Sequence, residues 1–360
     1  MSNPFSALSI GTGSVLKNRF ALAPLTNTQS HSDGTLSEDE YRWLVKRAEG
    51  GFGLTMTCAA LVQRDGQGFP GQLGVYEDRH VEGLARLAEG IKAHSSHSVV
   101  QLHHAGMRAP QALIGGTPIC PSDNAETGAR AMTYDEVVRT RDAFVAAARR
   151  CERAGFDGVE IHGAHGYLLC EFLSPELNVR DDRYGGDIWD RSRIISEIID
   201  GVRSECRREF SLGVRLSPER FGLRLAEIRD LAARLMAEGA IDYLDMSLWD
   251  IFKEPVEDEF RGRSLLSCFT ELDRGRVKLG AAGKIATGED VARAMDLGLD
   301  FVVVGRAAIL HHDLPERIRA HSGFSPTSLP VTADYLREEG LGEPFISYMR
   351  SWKGFVADEG

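Results

Sequence analysis

The sequence lacks any run of about 18 apolar residues, the length that an α-helix needs to cross a bilayer. Its N-terminus also lacks a basic start followed by an apolar stretch, so no secretory signal is predicted. Cysteine is scarce and dispersed, with six residues and no C-x2-C pair, which excludes a sequence-local zinc knuckle or iron–sulfur cluster. These absences predict a cytoplasmic protein with free thiols.

The sequence has fewer basic than acidic residues. The chain has 42 Lys and Arg residues against 53 Asp and Glu residues, for a net charge of −11. A nucleic-acid partner needs a basic face, and an anionic membrane attracts basic segments. We therefore expect neither partner and predict a small-molecule substrate; the sequence leaves open whether the protein is a homo-oligomer.

Short apolar segments alternate with helical patterns along the chain. Strands are predicted at residues 19–24, 53–58, 98–103, 157–161, 211–216, 241–246, 277–281 and 301–304. Apolar residues spaced for one helix face predict helices over 133–154, 194–206 and 225–238. Eight repeats of this alternation predict a protein of the α/β class with a closed (β/α)8 TIM barrel.

The alternative topology is a doubly wound open sheet. That fold places G-x-G-x-x-G after its first strand, and residues 21–29 contain no glycine. We interpret residues 1–360 as a single domain, with an N-terminal hairpin over 1–18 that closes the barrel floor. Residues 321–360 form a C-terminal extension, which packs on its own barrel or contacts a partner subunit.

Functional residues of this fold lie at the C-terminal ends of the strands and in the loops that follow. The rule selects Ala23, Pro24, Leu25 and Thr26 after strand one, Gln101, His103 and His104 after strand three, His162, His165 and Tyr167 after strand four, Arg215 after strand five, Ala282 and Gly283 after strand seven, and Gly305 and Arg306 after strand eight.

The residues after strands seven and eight are small and precede a helix, which suits a phosphate cradle. The same residues also fit two ordinary barrel turns with a surface arginine. Arg215, if buried at the barrel mouth, must meet an anion or a developing charge, or form a structural ion pair with a glutamate such as Glu160. The Gln101 amide can donate and accept, which suits the edge of a pyrimidine-like ring.

Two histidines three residues apart leave the fourth strand, and a tyrosine follows. His162, His165 and Tyr167 are compatible with three arrangements: histidines satisfied within the structure, a metal pair that needs a third ligand, or a substrate clamp with a proton donor. Their spacing alone leaves all three open.

The segment 159–186, VEIHGAHGYLLCEFLSPELNVRDDRYGG, closely resembles the signature of the old yellow enzyme family of FMN-dependent ene-reductases, also called the NADH:flavin oxidoreductase / NADH oxidase family. The resemblance continues in VLKNRFALAPLTN, VVQLHHAGMR, GVRLSP and VVVGRAAI, at the first, third, fifth and eighth strands. Together these motifs cover residues from about 10 to 320 in the family's order.

The resemblance implies that FMN binds non-covalently across the barrel mouth. It assigns Ala23, Pro24, Leu25, Thr26, Gln101 and Arg215 to the flavin ring and Ala282, Gly283, Gly305 and Arg306 to the phosphate. NADH or NADPH would be the reductant, and activated C=C bonds of α,β-unsaturated carbonyl or nitro compounds the substrate. His162 and His165 would then hold the substrate oxygen and Tyr167 would be the general acid, while Trp249 walls the substrate pocket or packs at the rim.

The chain departs from some bacterial relatives, which carry a cysteine and a tyrosine where it has Thr26 and Thr28. Three other functions stay open. They are an FMN-dependent amine demethylase or dehydrogenase of the same barrel family, a metal-dependent TIM-barrel hydrolase with His162 and His165 as ligands, and a flavin-binding or sensing protein.

Overall fold

A computed structural model describes residues 3–358 of the chain. Its strands are β1 (Leu8–Ile10), β2 (Ser14–Leu16), β3 (Phe20–Leu22), β4 (Leu54–Leu61), β5 (His97–His103), β6 (Ile119–Cys120), β7 (Arg130–Ala131), β8 (Gly158–Gly163), β9 (Ser211–Leu216), β10 (Tyr243–Ser247), β11 (Lys278–Ala282) and β12 (Phe301–Val304). Eight of these strands close a barrel in the order β3, β4, β5, β8, β9, β10, β11, β12, and every neighbouring pair is parallel.

Helices alternate with the barrel strands. They are α1 (Glu38–Glu49), α2 (Val81–Lys92), α3 (Gln111–Ile114), α4 (Tyr134–Arg153), α5 (Leu168–Leu173), α6 (Ile188–Arg191), α7 (Arg193–Glu205), α8 (Leu225–Glu238), α9 (Ser267–Thr270), α10 (Gly288–Asp296), α11 (Arg306–Leu310), α12 (Leu314–Ala320), α13 (Ala333–Glu338) and α14 (Glu343–Arg350). Within residues 3–358, none of them combines the length and apolar character that a membrane crossing demands.

The predicted (β/α)8 barrel is confirmed. The bounds of β9, β12 and α8 match the prediction, and the other strands differ from it by one to three residues at an end. The short pair β6 and β7, in the segment between β5 and α4, was not predicted. A two-residue strand carries no periodicity that a sequence pattern could reveal.

Local chemistry explains why the long helices start and stop where they do. Thr133 accepts a hydrogen bond from the backbone N–H of Glu136, whose carboxylate accepts one from Thr133 in return, so a capping box starts α4. Gly239 ends α8 in the left-handed region at φ +61°, and Gly155 lies just beyond α4 at φ +85°. The apolar faces of these helices are buried against the strands.

The N-terminal hairpin closes one end of the barrel, as predicted. In β1 and β2, Leu8, Ile10 and Leu16 are buried against residues near the N-terminal ends of the barrel strands, including Val99 and Phe301. The opposite end, where the strands finish, is therefore the one left to bind a ligand. Residues 1 and 2 of the predicted hairpin and 359 and 360 of the predicted tail lie outside the described residues.

The C-terminal tail packs on its own barrel. The buried guanidinium of Arg47 donates from Nη1 to the carbonyl oxygen of Glu339 at 2.6 Å, and the Phe345 ring meets Trp43 edge-on at 4.9 Å between centroids. The hydroxyl of Thr28 donates to the carbonyl oxygen of Pro344 at 3.1 Å. These contacts fix α14 beside the C-terminal ends of the strands.

Candidate active site

A cavity of about 460 Å³ opens at the C-terminal end of the barrel. Its size falls within the usual range for small-molecule and cofactor sites, about 300–1,000 Å³. Six residues selected from the sequence line it: Pro24, Leu25, Thr26, His165, Tyr167 and Trp249. The other selected residues, described below, do not line this cavity.

The structure brings His162, His165 and Tyr167 together. The ring centroids of His162 and His165 lie 5.0 Å apart, and those of His162 and Tyr167 lie 5.3 Å apart. His165 and Tyr167 face the cavity, and the His162 ring packs against both of them. Two imidazoles and a phenol therefore form one group at the end of β8.

His165 adopts an unusual backbone conformation that fixes where its ring points. Its φ of +65° lies in the left-handed region, which costs a non-glycine residue about 1–2 kcal/mol. Its backbone N–H donates to Ser217 Oγ at 3.0 Å, and its carbonyl oxygen accepts from Arg108 at 2.6 Å. Its ring Nε2 lies 2.7 Å from Ser247 Oγ. The loops after β5, β8, β9 and β10 thus hold this imidazole jointly.

Both imidazoles are neutral at pH 7. Burial lowers the pKa of His165 to about 3 and the pKa of His162 well below its usual value, and neighbouring positive charge adds to both effects. Nδ1 of His162 accepts from the backbone N–H of Ala164 at 3.3 Å, which assigns the ring proton to Nε2. A neutral imidazole still provides one N–H donor, so the pair can bind an oxygen without carrying charge.

Tyr167 retains its proton at neutral pH. Burial raises the pKa of its phenol above the usual value, and the guanidinium of Arg108, 4.6 Å from the ring centroid, opposes that rise. The ring also meets His103 edge-on at 4.4 Å between centroids. A protonated phenol held against the cavity can act as a general acid.

Arg215 is buried, and its salt-bridge partner is Asp245 rather than the suggested Glu160. Its Nε lies 3.1 Å from Asp245 Oδ2, the separation of an ion pair, although the N–H is not aligned for a hydrogen bond. Glu160 instead accepts from the Gln101 amide at 2.8 Å. The reason is register, since Asp245 and Arg215 are direct partners on β10 and β9.

The rest of the Arg215 guanidinium points toward the strand ends. Within residues 3–358 its only hydrogen bond is a long one of 3.5 Å from Nη2 to Ser247 Oγ, and Ser247 lines the cavity. Guanidinium N–H groups therefore remain for an anionic edge at the barrel mouth. One N–H of the Gln101 amide donates to Glu160, so the second N–H and the amide oxygen are left for a ligand.

The glycines just after β11 and β12 differ in how much free space lies beside them. The carbonyl oxygens of Ala282 and Gly283 accept from Leu248 and Ile251, and a Cβ at Gly283 would lie 2.9 Å from a backbone nitrogen. Gly283 is therefore needed for loop packing. A Cβ at Gly305 would meet only side-chain methyl carbons of the β3 loop, at 3.5 and 3.8 Å.

The first residue of α11, Arg306, is exposed beside the aromatic wall of the cavity. Its guanidinium carbon lies 5.7 Å from the Trp352 ring centroid, and Trp352 lines the cavity. An open glycine and an exposed arginine fit a phosphate group at this rim. With the free donors of Arg215 and the lining Thr26, the predicted set is chemically compatible with FMN.

The lining residues that were missed as site residues in the sequence include Arg108, Ser247, Tyr348 and Trp352. Arg108 stands inside the motif VVQLHHAGMR, shortly after β5, and the strand-end rule extended by a few residues would have found it. Tyr348 and Trp352 belong to the tail. No local pattern signals that they reach the cavity, because their placement depends on how α14 packs.

The structure does not support a metal centre at His162 and His165. Among residues 3–358 no group of three or more His, Cys, Asp and Glu side chains could hold a metal ion. The metal-hydrolase alternative therefore has no third ligand beside His162 and His165.

The chain is similar to known flavin enzymes. The family described as NADH:flavin oxidoreductase / NADH oxidase matches residues 4–323. The "Probable NADH-dependent flavin oxidoreductase YqiG" of Bacillus subtilis is 36% identical over 317 residues, covering 85% of each chain. The NADH:fumarate oxidoreductase of Klebsiella pneumoniae is 33% identical over 87% of this chain, which spans only 35% of that longer protein.

Solved structures of the same kind superpose over nearly the whole chain. An old yellow enzyme homologue from Zymomonas mobilis is 26% identical with a TM-score of 0.79, covering 93% of this chain and 96% of its own. Morphinone reductase in complex with tetrahydroNAD is 26% identical with a TM-score of 0.79, covering 100% and 99%. This protein belongs to the old yellow enzyme family, the NADH:flavin oxidoreductase / NADH oxidase family, and is an FMN-dependent NAD(P)H oxidoreductase.

Proposed function

We propose that this protein reduces activated C=C bonds of α,β-unsaturated carbonyl or nitro compounds with NADH or NADPH. The observation that carries the proposal is the group of two neutral imidazoles and one protonated phenol at the cavity, with ring centroids 5.0 and 5.3 Å apart. Such a group offers two donors for one oxygen and one proton for transfer. An amine oxidation would not require this combination.

The cofactor residues are proposed from the same placement. The ring would contact Ala23, Pro24, Leu25, Thr26, Gln101 and Arg215, and the phosphate would contact Ala282, Gly283, Gly305 and Arg306. FMN, when bound, would supply the redox chemistry, which is hydride transfer from NAD(P)H to the flavin and from flavin N5 to the β-carbon of the alkene. Arg215 would hold the ring and stabilise the negative charge that it gains on reduction.

The side chains complete the reduction. His162 and His165 donate hydrogen bonds to the substrate oxygen and stabilise the charge that develops there. Tyr167 transfers its proton to the α-carbon, so hydride and proton together convert C=C into HC–CH. Water at the open mouth returns the proton to Tyr167. Trp249, which is 68% exposed, and Trp352 form aromatic walls for the substrate.

The visible spectrum of the purified protein and two anaerobic titrations test this proposal. We expect a yellow protein that NADH or NADPH bleaches and 2-cyclohexen-1-one reoxidises. Bleaching by an amine, with no reoxidation by enones or nitroalkenes, would establish the amine dehydrogenase instead. A colourless protein with stoichiometric zinc would contradict both flavin functions.

The spectrum with a para-substituted phenol reports on the imidazoles directly. A phenolate bound by His162 and His165 over oxidised FMN should give a long-wavelength charge-transfer band. His165→Ala should weaken this band without removing FMN. His94→Ala, on a half-buried histidine after α2 and away from the cavity, is the matched control and should leave the band unchanged.

A further inference from the structure

A buried acid–base cluster lies inside the barrel, one layer deeper than the imidazoles. It contains Glu160 of β8, Asp245 and Tyr243 of β10, Arg215 of β9 and Gln101 of β5, none of them more than 4% exposed. Glu160 precedes His162 by two residues, so both side chains point to the same face of β8. Two carboxyl groups thus share this dry space with a single cation.

The two carboxyl groups have different partners. Asp245 lies 3.1 Å from Arg215 Nε, whereas Glu160 Oε1 accepts from the Gln101 amide at 2.8 Å. Within residues 3–358, Glu160 Oε2, Tyr243 Oη and both carboxylate oxygens of Asp245 have no hydrogen-bond partner. Two carboxylates beside one cation would leave one negative charge uncompensated in a buried site, whereas a proton on Glu160 removes that charge and gives the Tyr243 oxygen a donor.

We propose that Glu160 and Asp245 hold one proton between them at neutral pH, with the proton on Glu160, and that this pair sets the net charge around Arg215 at the proposed flavin site. The inference rests on the FMN site proposed above. Arg215 is then balanced by one carboxylate instead of two. The cluster is neutral, and Arg215 can still respond to charge at the barrel mouth.

The charges that face Glu160 are consistent with this assignment. Burial raises the pKa of Glu160 to about 8, and Asp245 on β10 adds to the rise. Arg215 on β9, the hydrogen bond from Gln101 and the nearby Tyr243 hydroxyl oppose this rise in pKa. Burial also raises the pKa of Asp245, against Arg215, and raises the pKa of Tyr243, which keeps its phenol protonated. His162 on β8 is neutral, and Gln101 on β5 carries no charge.

The pair couples reduction to a proton. Two electrons and one proton arrive as the hydride of NAD(P)H, and the added negative charge near Arg215 raises the proton affinity of Glu160. Below the pKa of Glu160 nothing further is taken up. Above it, reduction also transfers one proton from water to Glu160, so the uptake rises from one proton to two per two electrons.

The midpoint potential of the FMN-loaded protein, measured as a function of pH, tests this number of protons per two electrons. In the wild type, the slope of midpoint potential against pH should double just above pH 8. In Glu160→Gln, which mimics the protonated acid, the slope should keep its one-proton value at every pH. Glu40→Gln removes another fully buried carboxyl group and is the matched control that should keep the wild-type bend. A bend that persists in Glu160→Gln, or its absence from the wild type, overturns the proposal.

A second readout needs neither turnover nor FMN. The infrared difference between wild type and Glu160→Gln at pH 7 should contain the carbonyl stretch of a protonated carboxyl group. Asp245→Asn should remove the same band, because Glu160 then ionises to pair with Arg215. A band absent from the wild type, or retained in both variants, contradicts the shared proton. If these results hold while enones are not reduced, the proposed reaction fails and the proton pair stands.

Discussion

Nη1 of Arg108 donates a hydrogen bond to the carbonyl oxygen of His165 at 2.6 Å, while the same guanidinium lies 4.6 Å from the centroid of the Tyr167 ring. One side chain therefore touches the backbone of a proposed oxygen-binding residue and the ring of the proposed proton donor. Because His165 has a φ of +65°, this bond also helps to hold a backbone conformation that is costly by itself.

Arg108→Ala should lower kcat/KM for 2-cyclohexen-1-one by roughly 10- to 100-fold, because a hydrogen bond from a charged group contributes about 1.5–3 kcal/mol. Steady-state kinetics with the FMN content measured on the same sample test this. Arg108→Lys keeps the charge and should retain more of the activity. An unchanged kcat/KM in Arg108→Ala would show that Ser217 and Ser247 hold His165 without it.

Tyr167→Phe should slow the oxidation of reduced enzyme by an enone about 10²- to 10⁴-fold, the usual contribution of a general acid. Reduction by NADH should keep its wild-type rate, since no proton from Tyr167 enters that half-reaction. Stopped-flow spectroscopy separates the two steps. Tyr348→Phe, in the same cavity, is the matched control and should retain the fast second step.

The same proton donor predicts a pH profile. Because burial raises the pKa of Tyr167 above its usual value near 10, the phenol is protonated throughout the neutral range and loses its proton only in strong base. The enone half-reaction should therefore be independent of this group up to about pH 10 and fall above it. A fall centred near neutral pH would assign the proton to another group.

His103 should make the protein less stable in acid. Burial lowers its pKa to about 3, so below pH 6.5 the unfolded chain binds a proton that the folded protein does not. Stability is therefore full above pH 6.5 and is lost as the pH falls toward 3. At pH 5 this amounts to about 2 kcal/mol.

Urea unfolding of wild type and His103→Gln, at pH 7 and pH 5 with saturating FMN, measures this difference. From pH 7 to pH 5, the free energy of unfolding of the wild type should fall by about 2 kcal/mol more than that of the variant. An equal loss in both proteins would mean that His103 is protonated in the folded state at pH 5.

Trp352→Ala should widen the cavity on the side of the C-terminal tail. We expect the KM for an aryl-substituted enone to rise about tenfold, equivalent to about 1.4 kcal/mol of lost binding, with a smaller rise for 2-cyclohexen-1-one. Trp189→Ala, at an exposed side chain of α6, is the matched control and should change neither KM value. Equal effects on both substrates would place Trp352 outside the substrate contact.

The period of the sequence was enough to predict the barrel. The alternation of short apolar runs and amphipathic helical patterns can be read from neighbouring residues alone. The start of α4 follows from Thr133 and the end of α8 from Gly239. The rule that strand ends carry function then selected His165 and Tyr167, and both line the cavity. These features need no knowledge of which residues meet across the fold.

Only the tertiary structure decided which distant residues contact each other. Arg215 lies beside Asp245 and not Glu160 because barrel closure sets the register between β9 and β10. Tyr348 and Trp352 reach the cavity because α14 packs against Trp43, and because Arg47 holds Glu339 just before that helix, about three hundred residues apart in the chain. Local propensity fixes what each segment becomes, whereas contacts between distant segments depend on the free energy of the whole packed arrangement, which a linear pattern does not contain.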